Sequence, residues 1–446
     1  MMKRNIYSEL IKWKENPAHK PLVLLGARQV GKTYIVKEFG MAEFENMVYV
    51  NCHNNTFVTN LFSDFNIERI IYQLEQAYEQ KIVAGKTLLF FDEIQEVPNG
   101  IPALKYFCED KRELHVVVAG SLLGISLREE ESYPVGKVDD LRMYPMTYDE
   151  FLLANGRELL AEAVRRLDWG SMAMHHDTLV EYLRQYYFTG GMPEAVSTWL
   201  EDHDAKKTRK VQRSILATYN RDMGKHTKTE VARIRMVWNS IPAQLAKENK
   251  KFAYKEVKKG GRAAEFEKAI QWLVDAGLIY RVTRVTKPEE PLKFYAEDAF
   301  FKVYMLDHGL LACMTGARSR EMLLGMKVFS EFKGAFTENF VLSQMKSLEL
   351  HDEMDKNIFY YSKDNSTMEV DFVVQTSDRV IPTEVKAEEN MRAKSLRTFI
   401  TEEFGDLNLK GLRASMKAYV DQEWMESIPL YATEAYFKNK GLGTDE

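Results

Sequence analysis

The sequence predicts an α/β protein: a parallel, doubly wound sheet first, a helical middle, and a second, smaller α/β module near the C-terminal end. Three observations carry this. The apolar run 22–25 leads directly into Gly26-x-x-x-x-Gly31-Lys32-Thr33, and a helical stretch follows from Tyr34. A second apolar run, 87–91, delivers Asp92-Glu93 at its carboxyl end. From Met146 the apolar spacing turns helical, until "DFVVQTSDRVIPTEVKA" (371–387) returns to two short strands around a polar turn.

The first element is a strand because four consecutive apolar residues suit a strand buried on both faces. The glycine loop after it has the strand–loop–helix context of a phosphate-binding loop. Gly26, Ala27, Arg28, Gln29, Val30 and Gly31 would wrap phosphate oxygens with backbone N–H groups, and the helix N-terminus adds its positive dipole end. Lys32 reaches the terminal phosphates and counts as catalytic as well as binding, and the Thr33 hydroxyl is placed to ligate Mg²⁺. The run 47–52 is another strand. In the run ending at Asp92-Glu93, Asp92 would hold Mg²⁺ and Glu93 would polarise an attacking water; an exposed acidic turn is the plainer alternative. "LHVVVAGS" is a further strand ending at Ser121, which would either sense the γ-phosphate or cap a helix. ATP with Mg²⁺ is the expected ligand of this sheet, at its strand carboxyl ends.

Composition sets the frame. The 446 residues suffice for two or three domains of roughly 100–200 residues each. Hydrophobic content of 45% and charged content of 28% suit ordinary globular domains. A net charge of −5 argues against a surface coated in positive charge, without excluding a local basic face. Three widely spaced cysteines, Cys52, Cys108 and Cys313, build neither a zinc pattern nor a disulfide framework. "MMKRNIYSEL" has no signal-peptide core, and no apolar run approaches the roughly 18 residues of a membrane span, so a cytoplasmic protein without membrane contact is expected.

The middle is read from helical spacing. Phe151, Leu152, Leu159, Leu160 and Val164 follow helical spacing, and Gly190-Gly191 before Pro193 marks a turn into a new helix. Tyr186, Tyr187 and Phe188 read as core. Further on, a short helix with Tyr254 and Val257, the Gly260-Gly261 turn, a helix with Phe266, Ile270 and Leu273, and the alternating "LIYRVTRV" follow the order of a winged helix. Its Lys255, Lys258, Lys259, Arg262 and Lys268 leave two uses open, DNA contact or protein docking. Asp307 and His308 read as structural.

"GARQVGKT", "LLFFDEIQ", "VVVAGS", "LRMYPMTYDEFL", "FTGGMPEAV", "ATYNRDM" and "DFVVQ…TEVKA" together resemble an AAA-type P-loop ATPase family of bacteria and archaea that carries a C-terminal domain of unknown function. The resemblance implies a helical lid after the nucleotide domain and an assembly in which one subunit completes its neighbour's site, hence a homo-oligomer. Where that family has a Gly-Arg pair, this chain has Gly136-Lys137, and a lysine lacks the planar fork of an arginine finger.

The C-terminal stretch opens on a helix with Phe332, Phe336, Phe340, Leu342 and Glu338, followed by three strands and the helical "SLRTFITEEFG". The order Glu338, Asp371, Glu384-Val385-Lys386 resembles the core of the PD-(D/E)XK (restriction-endonuclease-like) nuclease fold. That resemblance implies that Asp371 and Glu384 bind Mg²⁺ or Mn²⁺, that Glu338 completes the outer shell, and that Lys386 orients water and stabilises phosphorane charge. The alternative is an inactive remnant in which Lys386 pairs with an acid.

The expected organisation is a P-loop domain (1–145), a helical lid (146–230), a winged-helix-like domain (231–325) and a nuclease-like domain (326–446). Two functions remain open. One is an ATPase coupled to metal-dependent cleavage of DNA. The other is an ATP-switched regulatory module with a silent C-terminal domain and a protein partner on its middle.

Overall fold

The computed structural model describes residues 2–121, 133–224, 228–247, 250–324, 330–351, 357–387 and 393–443. Residues 3–144 form one compact unit, and nearly all of the chain from Pro145 onward forms another.

The first unit is built on five parallel strands: β1 (Leu22–Leu25), β2 (Asn46–Asn51), β3 (Thr87–Asp92), β4 (His115–Ala119) and β5 (Asp139–Arg142). Their spatial order is β2-β3-β4-β1-β5. β1, β3 and β4 are buried at every position, which is why they read as unbroken apolar runs rather than as alternation. One face of the sheet, with Val23, Val48, Leu89, Phe91 and Val118, packs on Ile67, Ile70, Leu74, Leu104 and Phe107 from flanking helices. Asn55 and Asn66 start two of the helices on this unit by accepting from backbone N–H groups. β1 lies between β4 and β5, so the loop leaving its carboxyl end opens where the strand order changes direction.

The second unit begins with helices, among them Tyr148–Ala154, His176–Thr189, Pro193–Asp202, Ala205–Met223, Lys228–Leu245 and Ala263–Asp275. It ends in an eight-stranded mixed sheet: β6 (Ile279–Val285), β7 (Ala296–Met305), β8 (Ile358–Ser362), β9 (Glu369–Gln375), β10 (Val380–Val385), β11 (Gly411–Ser415), β12 (Val420–Asp421) and β13 (Met425–Pro429). The β6–β7 hairpin, which alternation places in the middle module, also pairs along β6 with β8, Arg284 beside Tyr360 and Val285 beside Tyr361. Alternation tells which face a strand buries and says nothing of which strand will pair along its edge. The helix Ser330–Lys346 buries Phe336, Phe340 and Leu342; the Phe332 side chain lies outside the described residues.

Asp307 and His308 fasten this unit internally. The Asp307 carboxylate accepts from Gly191 N–H at 2.6 Å and Leu310 N–H at 2.8 Å, and a Cβ at Gly190 would stand 2.3 Å from it. His308 Nε2 lies 2.9 Å from the Tyr186 carbonyl.

A second fastening joins Asp149, near the start of its helix, to Glu434 on the helix Thr433–Asn439 through a carboxyl–carboxylate hydrogen bond. Arg165 Nε stands 2.6 Å from Asp149. Burial and the neighbouring Asp149 push Glu434 well above the usual carboxylate range. Burial opposes ionisation of Asp149, but Glu434, Arg165 and Thr147 together hold it below its ordinary value. Glu434 therefore carries the proton. A carboxyl with a raised folded pKa contributes stability that is complete below its unfolded value, about 4.3, and is lost as pH rises through the folded value. Glu434→Gln supplies a permanent donor. Relative to the parent, its unfolding free energy from urea titrations should improve as pH rises, at a limiting slope of about 1.4 kcal/mol per pH unit. Parallel pH dependences for the two proteins would refute the shared proton.

Candidate functional site

The glycine loop leaves β1 at Gly26, whose φ of 156° is followed by positive values at Gln29 (66°) and Gly31 (102°). At Gly26 a Cβ would lie 2.4 Å from the Met143 carbonyl oxygen, so only glycine lets the loop pass β5's end. The helix Lys32–Glu43 starts at once. Arg4, which has no sequence signal of its own, is buried and donates to the Val30 carbonyl at 2.8 Å and to Tyr144 O at 2.7 Å, bracing the loop from below.

Lys32 is buried and donates to the carbonyls of Gly26 (2.8 Å) and Ala27 (2.9 Å). Burial lowers its ammonium to about 8, even though Glu93 and Asp92 pull the other way. The Thr33 hydroxyl donates to Asp92 Oδ2 at 2.8 Å, so the structure brings these two predicted Mg²⁺ ligands together across 59 residues of sequence. Burial raises Asp92, with the adjacent Glu93 adding to it and Thr33 and Tyr49 opposing. Glu93 follows directly, held at φ 56°, ψ 42°, an uncommon place for a residue with a Cβ. Its carboxylate accepts from Gln95 Nε2. Ser121 stands half-buried two residues beyond β4. Lys137, in the place of the family's arginine, lies 2.8 Å from Glu109.

These side chains fit a magnesium–nucleotide. A hydroxyl and a carboxylate already share one spot, a buried amine rests on loop carbonyls it can exchange for phosphate oxygens, and Gly26 keeps the cradle free of side chain. Mg²⁺, when bound, supplies positive charge that offsets the phosphates. Thr33 and Asp92 would hold it, Lys32 would bind the terminal phosphates, and Glu93 would take a proton from water.

The sequence does not point to Tyr49. It sits on β2, and its hydroxyl reaches Asp92 Oδ2 at 3.2 Å; Lys37 Nζ lies 3.6 Å from its ring centre. Tyr49→Phe removes a donor that fixes Asp92. The Mg²⁺ concentration giving half-maximal ATP turnover should rise about threefold to tenfold, in line with the net contribution of one ordinary hydrogen bond, while the rate at saturating Mg²⁺ stays close to the parent's. An unchanged Mg²⁺ requirement would remove Tyr49 from the site.

In the second unit, β9 and β10 pair antiparallel through Phe372 and Thr383, which brings Asp371 and Glu384 to neighbouring positions. Asp371 accepts from Val385 N–H at 2.8 Å. Burial, then the nearby Glu338, pushes its carboxyl up to about 7. Glu384 is buried and pairs with Lys386 Nζ at 2.5 Å; its Oε2 has no hydrogen-bond partner. Glu338, on the helix Ser330–Lys346, is paired with Lys250 and accepts from Tyr304 Oη at 3.1 Å. Lys302, with no exposed surface, sits 2.5 Å from Glu369. Burial works against its charge, but Glu369, Glu338 and Asp371 outweigh that and hold it protonated.

The three acids expected to share a cation are thus distributed among the chain's own donors. Among the described residues no group of three or more His, Cys, Asp or Glu side chains comes together as metal ligands. Around Glu338, Asp371 and Glu384, the residues expected to hold Mg²⁺ or Mn²⁺, Lys250, Lys302 and Lys386 supply positive charge.

Three family profiles match parts of the chain. Residues 18–152 match the profile of an AAA domain. Residues 180–321 and 333–432 match two domains of unknown function, DUF8612 and DUF4143. No curated protein matches the chain. Among solved structures, a Walker-type ATPase of Pyrococcus abyssi is similar at 14% identity and a TM-score of 0.45, covering 71% of this chain and 96% of that one. Cdc6p from Pyrobaculum aerophilum is similar at 12% identity and a TM-score of 0.23, covering 71% and 91%. A RuvB variant from Thermotoga maritima is similar at 15% identity and a TM-score of 0.26, covering 62% and 89%. At these scores they are distant likenesses only. No described helix is long and apolar enough to cross a membrane. The first unit, with its glycine loop and its paired acids at the end of β3, thus has the features of an AAA-type P-loop domain, the profile that residues 18–152 match.

Proposed function

We propose that this chain is a Mg²⁺-dependent ATPase that works as a nucleotide-driven switch, with a C-terminal module that does not cut nucleic acid. In this reading Lys32 binds the terminal phosphates, Thr33 and Asp92 hold Mg²⁺, Glu93 activates water, and Ser121 lies at the γ-phosphate end. The observation that carries the first half is the Thr33–Asp92 hydrogen bond beside the buried Lys32.

The second half rests on the pairing of Glu338 with Lys250, Glu369 with Lys302 and Glu384 with Lys386. Buried charges balanced internally stabilise one arrangement of the sheet, and removing either partner is costly. A carboxylate committed to an ammonium is a poor ligand for a hard cation. The output then passes through a protein partner of the helical middle, and a homo-oligomer remains in keeping with the AAA-type domain.

The deciding experiment measures ATP turnover and DNA cleavage by the purified protein, on single- and double-stranded substrates, with Mg²⁺ or Mn²⁺. Asp371→Ala and Lys386→Ala are run alongside. ATP hydrolysis without cleavage is the expected result. Cutting by the parent that disappears in both variants would overturn the silent C-terminal module and restore metal-dependent cleavage of DNA.

A further inference from the structure

We propose that Gln95 positions the water that attacks ATP, working beside Glu93. This rests on the ATPase reading given above.

Gln95 lies in the single 3-10 turn Ile94–Glu96 that follows β3, and its side chain is buried, with 5% of the residue exposed. Its two polar ends are used unequally. Nε2 donates to Glu93 Oε2. Oε1 is buried and has no hydrogen-bond partner. Reversing the carboxamide would not help, because Oε1 would then face a carboxylate and two acceptors would meet. The orientation is therefore set by Glu93, and an acceptor is left over. Buried acceptors nearly always have a donor, and an exception calls for a reason.

The reason lies in the chemistry of the neighbouring acid. An attacking water has two O–H bonds and needs both directed if a lone pair is to point at phosphorus. Glu93 can accept one. Oε1 and Nε2 share a single carbon, so the orphan acceptor is within one water's reach of the Glu93 carboxylate. A water bonded to both Glu93 and Gln95 Oε1 has its orientation fixed. The left-handed backbone of Glu93 places the acid and the glutamine on the same short turn, which presents them together.

The step balances without any further reactant. The water oxygen bonds to the γ-phosphorus, and the bond from that phosphorus to the β–γ bridging oxygen breaks to release ADP. One water proton passes to the Glu93 carboxylate and on to solvent or product. The other stays on the new phosphate oxygen, released from Gln95 Oε1 as product leaves.

The test uses the full-length protein with Gln95→Met, which keeps the side chain's length and removes both polar ends, and Gln95→Leu, which removes them with a branched side chain. ATP turnover and ATP affinity by equilibrium binding are measured for each, with thermal melts to verify folding. Both should lose turnover by about tenfold to a hundredfold, at or below the lower end of the span for a positioned acid–base partner, with ATP affinity within twofold of the parent. Turnover within twofold of the parent in a folded variant, or a fall in turnover matched by an equal fall in ATP affinity, would overturn the role. If the parent itself fails to hydrolyse ATP, the ATPase reading falls and Gln95's role falls with it; a hydrolysing parent with unaffected variants removes Gln95 alone.

Discussion

Lys32→Ala is expected to abolish ATP turnover and to weaken ATP binding by at least tenfold, while the melting temperature stays near the parent's. The lysine is buried, yet it donates only to the carbonyls of Gly26 and Ala27 in its own loop. Removing it therefore takes no hydrogen bond from the sheet, and the fold should persist. What is lost is the one ammonium held at the start of the helix Lys32–Glu43, where a phosphate would collect the helix dipole, the loop N–H groups and this charge together. A charge-assisted contact in a dry site contributes about 1.5–3 kcal/mol, or roughly tenfold to a hundredfold in affinity. Turnover falls further, because the charge on the departing phosphates then develops without a counter-ion.

The same residue gives a pH signature. Burial holds the Lys32 ammonium at about 8 in the nucleotide-free protein. Bound phosphates favour the charged form, so its pKa rises on binding. The charge that ATP needs is present well below pH 8, half lost near it, and must be regained by proton uptake above it. ATP affinity should then weaken as pH climbs beyond about 8, by up to tenfold per pH unit, and Lys32→Ala should be indifferent to pH over that range. Measured titrations of a fluorescent ATP analogue between pH 7 and 9.5 decide this. Equal pH dependence in the parent and the variant would show that Lys32 does not face the phosphates.

How much of this was legible beforehand follows from the distance over which each feature is encoded. The glycine loop is contiguous, and its chemistry is written in residue types: glycines for positive φ, lysine for charge, threonine for a hydroxyl. Asp92-Glu93 reads clearly because the apolar run before it fixes where the pair emerges. Tyr49 does not, since a tyrosine in an alternating strand is ordinary, and its role exists only because β2 lies next to β3. Arg4 likewise becomes visible only when the chain's start meets Val30 and Tyr144. In the second unit the pattern Asp371…Glu384-x-Lys386 reveals the neighbouring strands that carry it. It cannot reveal Lys250 and Lys302, which reach the acids from far earlier in the chain and change the meaning of the cluster. The last strands were missed for a different reason. β11 buries Arg413 and Ser415 alongside Leu412 and Ala414, so it shows neither an apolar run nor alternation.

Glu93→Gln should separate binding from chemistry. The Glu93 carboxylate accepts from Gln95, sits beside the Thr33–Asp92 pair, and emerges from the end of the fully buried β3. An amide of the same shape preserves volume and leaves Lys32, Thr33 and Asp92 untouched, so ATP and Mg²⁺ should bind as before or slightly more tightly. The amide cannot take a proton from water, and kcat should fall by about a hundredfold to ten-thousandfold, the span for removing a positioned general base. The variant should accumulate unhydrolysed ATP, which a filter-binding assay followed by chromatography of the bound nucleotide would detect. Were bound ADP to appear at the parent's rate, the base would have to be sought elsewhere. If Glu93 removes the proton while Gln95 only aims the water, the single losses differ in size. The double variant should then be no slower than Glu93→Gln alone, because groups that act as a unit on one water do not contribute independently. Additive losses would mean that the two side chains act on different atoms.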